Sequence, residues 1–167
     1  VTYPASFIMI ATMNPCPCGN LGSTKPCTCS PHAIEMYQKR LSGPLLDRID
    51  LCIRVDEVPI DSLLEEPVHE SIDALRSRIK ESREVQLAAR KKYNSELTNK
   101  DLRKVVIAPG AKSLLDQAAT KMQLSPRAYF RTLRVAQTIC DLDGRKEIST
   151  ADLAESLQYR QFIVHNN

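Results

Sequence analysis

The sequence predicts an α/β remnant, two strands with a helix between them, followed by an all-α domain, so that the chain is mainly α overall. Three observations lead there. Few strand signals appear after Val58. Beyond Pro67, apolar residues recur three and four positions apart inside charge-rich stretches, which is the period of a helix and not of a strand. Charge divides at the same place: residues 1–66 hold 5 Lys and Arg against 8 Asp and Glu, and residues 67–167 hold 18 against 12. The second part is therefore the one that would attract phosphates. A length of 167 residues, 43% of them apolar and 26% charged, suits one ordinary domain or two small ones. The boundary is placed near Pro67, giving domains 1–66 and 67–167.

Composition also bounds function. No apolar run approaches the roughly 20 residues needed to span a bilayer, and no basic segment followed by an apolar block opens the chain. A cytoplasmic protein without a membrane partner is expected. The chain begins at Val1, a few residues before a strand, and so reads as a piece of a longer protein.

Taken in order, residues 7–12 form a short apolar run that ends in Met13, Asn14 and Pro15, as a buried strand does when it delivers one polar side chain to a sheet edge. Residues 14–30 contain Pro15, Pro17, Gly19, Gly22 and Pro26 and can only be a loop. Ser30 with Pro31 starts a helix over 31–41: the hydroxyl caps free N–H groups, and proline costs nothing at the first helical position. Gly43 and Pro44 separate this helix from a short turn through Leu45, Leu46 and Asp47. Leu51, Ile53 and Val55 then alternate with Cys52, Arg54 and Asp56 as in a half-buried strand, which Pro59 closes. An acidic connector leads to a long helix over 69–93, with Ile72, Leu75 and Ile79 on its apolar stripe. Helices over 99–106, 110–122, 125–143 and 150–161 follow; Gly144 ends the third, and Ser149 with Asp152 forms a capping box at the start of the last.

Two groups of residues carry chemistry. Cys16, Cys18, Cys27 and Cys29 stand as two Cys-x-Cys pairs in a loop too long to be structureless without a staple. Four thiolates are the usual complement of a tetrahedral zinc site, and Zn²⁺ would close the loop. Reduced thiols or a disulfide pair are the alternatives. His32 reads as a surface residue, and Cys52 and Cys140 as small buried hydrophobes. In the second group, Asn14 ends a strand and Arg48 precedes the next; taken singly, the first would be a turn former before Pro15 and the second a surface salt-bridge partner of Asp47 or Asp50, and it is their order that points further. An amide that orients water near a terminal phosphate, and a fixed guanidinium that stabilises transition-state charge, are what nucleotide hydrolysis between subunits requires. Arg127 lies in the first turn of a helix whose N-terminus favours an anion. Arg131 and Arg134 share its face, either as phosphate contacts or as a solvated basic face.

Together the stretches MNPCPCG, CTC, SGPLLDRID and LSPRAYFRTLRVAQTICDLDG resemble the magnesium-chelatase-like AAA+ ATPases, in particular their ComM competence-protein group, over nearly the whole chain. The resemblance implies the C-terminal part of an AAA+ core followed by a helical lid. By the same resemblance Asn14 is the sensor-1 residue, Arg48 the arginine finger and Arg127 the sensor-2 residue, with the long helix from His69 as the insert before the lid. ATP and Mg²⁺ are then the parent's ligands, a homo-oligomeric ring, hexameric in related motors, its assembly, and DNA its partner in remodelling or branch migration. No phosphate-binding Gly-x-x-x-x-Gly-Lys-Ser/Thr loop is present, so the fragment alone is expected to be inactive. Two other readings stay open: a zinc-stapled helical nucleic-acid-binding module without motor activity, and a metal-chelatase subunit.

Overall fold

The computed structural model describes residues 7–40, 45, 48–55 and 71–160. It contains two compact units, Val1–Ser42 and Gly43–Asn167. The boundary expected near Pro67 falls outside the described residues. Among those described, the elements are α1 (Pro31–Gln38), α2 (Ile72–Arg90), a 3-10 turn (Asn94–Glu96), α3 (Asn99–Leu102), α4 (Pro109–Lys121), α5 (Pro126–Leu142) and α6 (Thr150–Gln158).

The protein is mainly helical, and neither expected strand is found among the described residues. Among the described residues, 7–12 and 51–55 form no ladder with a neighbour, the single bond from Cys52 N–H to Tyr159 O at 3.1 Å being too little for one, and a strand exists only through such pairing. Their apolar side chains stand in solvent accordingly: Ile8 and Ile10 are each 90% exposed and Val55 is 87% exposed. Among the described residues of the first part, the α/β character expected there is thus not found; helix α1 is joined to chain without regular structure. The sole isolated bridge among the described residues joins Ile107 and Ile148, in parallel, within the helical unit.

Helix ends follow the capping residues. Ser30 Oγ accepts from Ala33 N–H at 3.2 Å, with Pro31 at the first position of α1. Ser125 Oγ does the same for Ala128 N–H at 3.1 Å at the start of α5. Ser149 and Asp152 form the expected reciprocal box on α6, and Arg145 donates to both Asp152 carboxylate oxygens from outside the helix. α5 ends in a left-handed residue, Gly144 at φ 67°, whose N–H donates to Asp141 O at 3.1 Å while Arg145 N–H donates to Cys140 O at 2.9 Å. That pair of bonds satisfies carbonyls the helix would otherwise leave open, and only glycine takes this conformation without strain.

Packing against α5 and α6 organises the helical unit. Its core gathers Leu97, Leu102, Leu115, Leu133, Ala136, Cys140, Ile148, Leu153 and Leu157. Leu102, Leu115, Ile148 and Leu153 are wholly buried, and each contributes about 1.5–3 kcal/mol by leaving water. α2 departs from the expected pattern. Ile72 and Ile79 are 68% and 53% exposed, whereas the buried positions are the polar Ser82 and Gln86. The helix meets the bundle through hydrogen bonds: Gln86 accepts from Asn94 N–H at 3.0 Å, Asn94 Nδ2 donates to Asp141 Oδ2 at 2.7 Å, and Arg90 pairs with the same carboxylate oxygen. Among the described residues no helix is long and apolar enough to cross a membrane.

Candidate functional site

In the first unit the chain turns back on itself at the first cysteine pair. Gly19 N–H donates to Cys16 O at 3.0 Å, and Gly19 takes φ 82°, a left-handed conformation that glycine adopts without strain. The turn brings Cys16, Cys18, Cys27 and Cys29 together, with all four Sγ atoms within 4.8 Å of one another. Separations are 3.4 Å for Cys16 to Cys18, 3.5 Å for Cys18 to Cys27 and 3.7 Å for Cys16 to Cys27. Tetrahedral zinc with Zn–S bonds of about 2.3 Å places its sulfurs about 3.8 Å apart. The four cysteines could therefore hold a metal ion, and they are reduced, not bridged.

The electrostatics of the four thiols differ. Backbone N–H groups at Asn20 and then Thr28 stabilise the Cys18 thiolate and bring its pKa down to about 5. Cys29 is pushed up to about 12: the backbone at Cys18 favours its thiolate, but burial and the three neighbouring sulfurs outweigh it. Crowded sulfurs repel a second and third negative charge unless a cation compensates them. His32 is exposed on α1 and is not among the groups close enough to share a metal.

Asn14 lies exposed two residues before Cys16. Its side chain lies over the cysteine turn, with Nδ2 3.6 Å from where a Cβ would stand on Gly19. Gln38 at the end of α1 donates to Pro15 O at 3.2 Å, tying the helix to the same turn. Asn14 and the cysteine cluster thus form one local structure.

In the second unit Arg48 is exposed, and its N–H closes a turn onto Leu45 O at 2.8 Å. Of the helical turn expected through Leu45, Leu46 and Asp47, only Leu45 belongs to the described residues. Arg127 is exposed at the second position of α5, beside the cap at Ser125. Arg131 and Arg134 have a different use from either expected one. Arg131 Nη1 donates to the Arg48 carbonyl and, at 2.8 Å, to Asp50 Oδ1. Arg134 Nη2 donates to Leu97 O at 2.7 Å, and burial lowers its pKa from the ordinary value. Sequence reasoning missed this grip on the Arg48 segment, because nothing local marks a contact 81 residues away. Cys140 is buried as expected, whereas Cys52 is only half-buried, with its N–H donating to Tyr159 O at 3.1 Å.

Two family models match the chain: "Magnesium chelatase, subunit ChlI" over residues 1–63 and "Magnesium chelatase, subunit ChlI C-terminal" over residues 69–160. Among curated proteins, the chain is 38% identical to Competence protein ComM of Haemophilus influenzae over 98% of its own length and 32% of the relative's. It is 36% and 35% identical to the uncharacterized proteins YifB of Salmonella typhimurium and Escherichia coli, each time over 99% of this chain and 33% of the relative. The chain therefore spans about a third of the length of the curated relatives it matches.

Proposed function

Since the chain belongs to the magnesium chelatase ChlI family, an AAA+-type family, we propose that it is the C-terminal portion of an AAA+ ATPase motor that remodels DNA or drives its branch migration as a hexameric ring in the cytoplasm. The observation that carries this is the match to both parts of the family model, over residues 1–63 and 69–160, with Asn14, Arg48 and Arg127 each in a stretch that supports a role. Asn14 orients the water that attacks the terminal phosphate of ATP. Arg48 reaches a neighbouring subunit's nucleotide and stabilises the charge that develops on the transferred phosphoryl group. Arg127 contacts phosphate from the N-terminal turn of α5, where the helix dipole favours an anion and disfavours a cation that lacks one. Mg²⁺ enters with the nucleotide and neutralises its phosphates; its protein ligands belong elsewhere in the parent. Support for DNA as partner comes from the basic excess of residues 67–167.

The four cysteines hold Zn²⁺ as a structural ion. The donor set is complete without water, as structural sites are, and its sulfur separations suit a tetrahedral ion. Its part is to fix the turn on which Asn14 rests.

The test of the motor reading uses Arg48 in the full-length parent. Arg48→Ala should leave ATP binding nearly intact while turnover falls about 10³-fold or more, because a finger acts mainly on the transition state. Arg48→Lys should not rescue, since a point charge lacks the planar fork. Rings mixed from Arg48→Ala subunits and subunits defective in the phosphate loop should regain part of the activity. Loss of ATP binding in Arg48→Ala, or no recovery in rings shown to be mixed, would return Arg48 to a structural role.

A further inference from the structure

We propose that Arg131 is the positioning residue for Arg48. It ties the segment that carries this guanidinium to the lid helix that carries Arg127, so that nucleotide contact in one site and the reach of Arg48 toward another are set by a single rigid element. The inference rests on the reading of Arg48 as the residue that completes a neighbour's site.

The geometry is specific. One nitrogen of Arg131, Nη1, donates both to the Arg48 carbonyl oxygen and to Asp50 Oδ1, the latter at 2.8 Å. It therefore holds the chain on both sides of Ile49, immediately at the backbone from which the Arg48 side chain departs. The Arg131 side chain is 20% exposed and that of Asp50 55%. An ion pair so open to water adds little stability, so its worth is in fixing position. The α5 backbone that carries Arg131 is anchored, because Thr132 and Leu133, which follow it, are both buried. Arg127 precedes Arg131 by four residues, about 6 Å along the helix axis and on the same face. A tilt of α5 that follows phosphate contact at Arg127 must carry Arg131 with it, and Arg131 carries the Arg48 carbonyl. Asp50 serves as the second anchor, and this gives the acidic residue two positions after Arg48 a purpose other than neutralising it.

Turnover, ATP affinity and mixed-ring rescue of the full-length parent test the idea together. Arg131→Ala should lower turnover about 10²-fold, the order of loss when a reacting group is displaced by about 1 Å, with ATP KM changed less than about threefold. Its effect should vanish in an Arg48→Ala background, because a residue that acts through another adds no second loss. In mixed rings, Arg131→Ala subunits should be rescued by partners defective in the phosphate loop, as Arg48→Ala subunits are. Asp50→Asn, which leaves α5 untouched, should shift turnover the same way by a smaller factor, and it decides the matter if Arg131→Ala does not fold. Losses that multiply in the double variant, or a weakened ATP KM without rescue by mixing, would overturn the proposal. If Arg48→Ala lowers turnover while Arg131→Ala and Asp50→Asn do not, this inference alone falls. If Arg48→Ala leaves turnover unchanged, the arginine-finger reading falls and takes this one with it.

Discussion

The two described units are held together by different chemistry. Within residues 7–40 the sole buried side chain is Cys16, and α1 buries none of its residues. The cysteine turn, a few loop hydrogen bonds and the bond from Gln38 to Pro15 are what close that unit. Residues 71–160 have instead a contiguous apolar core and a buried polar network around Asp141. The residues proposed to act on nucleotide lie outside these cores: Asn14, Arg48 and Arg127 are all exposed. Orientation of Asn14 should therefore depend on sulfur and metal, while that of Arg48 and Arg127 depends on helix packing.

Metal removal is the strongest way to break this contrast. Chelation, or the double substitution Cys16→Ser and Cys27→Ser, should abolish amide protection over residues 14–40 and leave residues 99–160 protected, as read by hydrogen exchange. Structural zinc provides about 10–16 kcal/mol of apparent binding free energy in small metal-folded peptides, far more than the contacts of a unit without an apolar core. Elemental analysis should find close to one zinc per chain. Protection that survives in the metal-free protein would show that the loop stands by itself and would erase the contrast.

The complementary experiment strikes the helical unit. Asp141 is 3% exposed and accepts from Arg90, Asn94 and Gln137, the last at 2.9 Å. Asp141→Ala leaves a guanidinium and two amide donors without their acceptor, and the loss should be about 3 kcal/mol, the lower end for a broken buried pair, because Arg90 retains some solvent. Urea unfolding should show it as a lower midpoint with an unchanged slope. A neutral result would mean that α2 is not fastened through this network.

How much of this was legible in the sequence depends on the range of the interaction. Helix ends were legible because Ser-Pro at 30 and 125, the Ser149 and Asp152 box and Gly144 act on their own neighbours in the chain. The cysteine cluster was legible because a breaker-rich loop with paired thiols has few other uses. The strands were not, since residues 7–12 and 51–55 have strand composition, but composition does not supply a partner. On α2 the stripe of Ile72, Leu75 and Ile79 misled: the positions that pack are polar, and nothing local marks Gln86 as the partner of Asn94, which in turn meets Asp141, distant in sequence. The grip of Arg131 on the Arg48 segment was hidden for the same reason.

A smaller effect sharpens the comparison within the helical unit, by separating its core from its exposed caps. Asp101 closes the capping box of α3, accepting from Thr98 N–H at 2.9 Å and Thr98 Oγ1 at 2.8 Å and pairing with Lys92 at 3.1 Å. The backbone N–H of Thr98 first, then its hydroxyl and then Lys92 hold the carboxyl pKa down at about 2. The folded value lies below the ordinary carboxylate value of about 4, so the unfolded chain takes up the proton first as pH falls. The contribution of Asp101 is thus complete above about pH 4 and is lost as pH falls through about 2. Melting temperature should accordingly decline less steeply between those limits for Asp101→Asn than for the unaltered protein, with the two curves converging at the acid end. Because Asp101 sits at the surface, the difference at neutral pH should be the smallest of those predicted here, and added salt should reduce it further. Parallel curves across the whole range would mean that the cap holds no charge-dependent stability and that packing alone sets the position of α3.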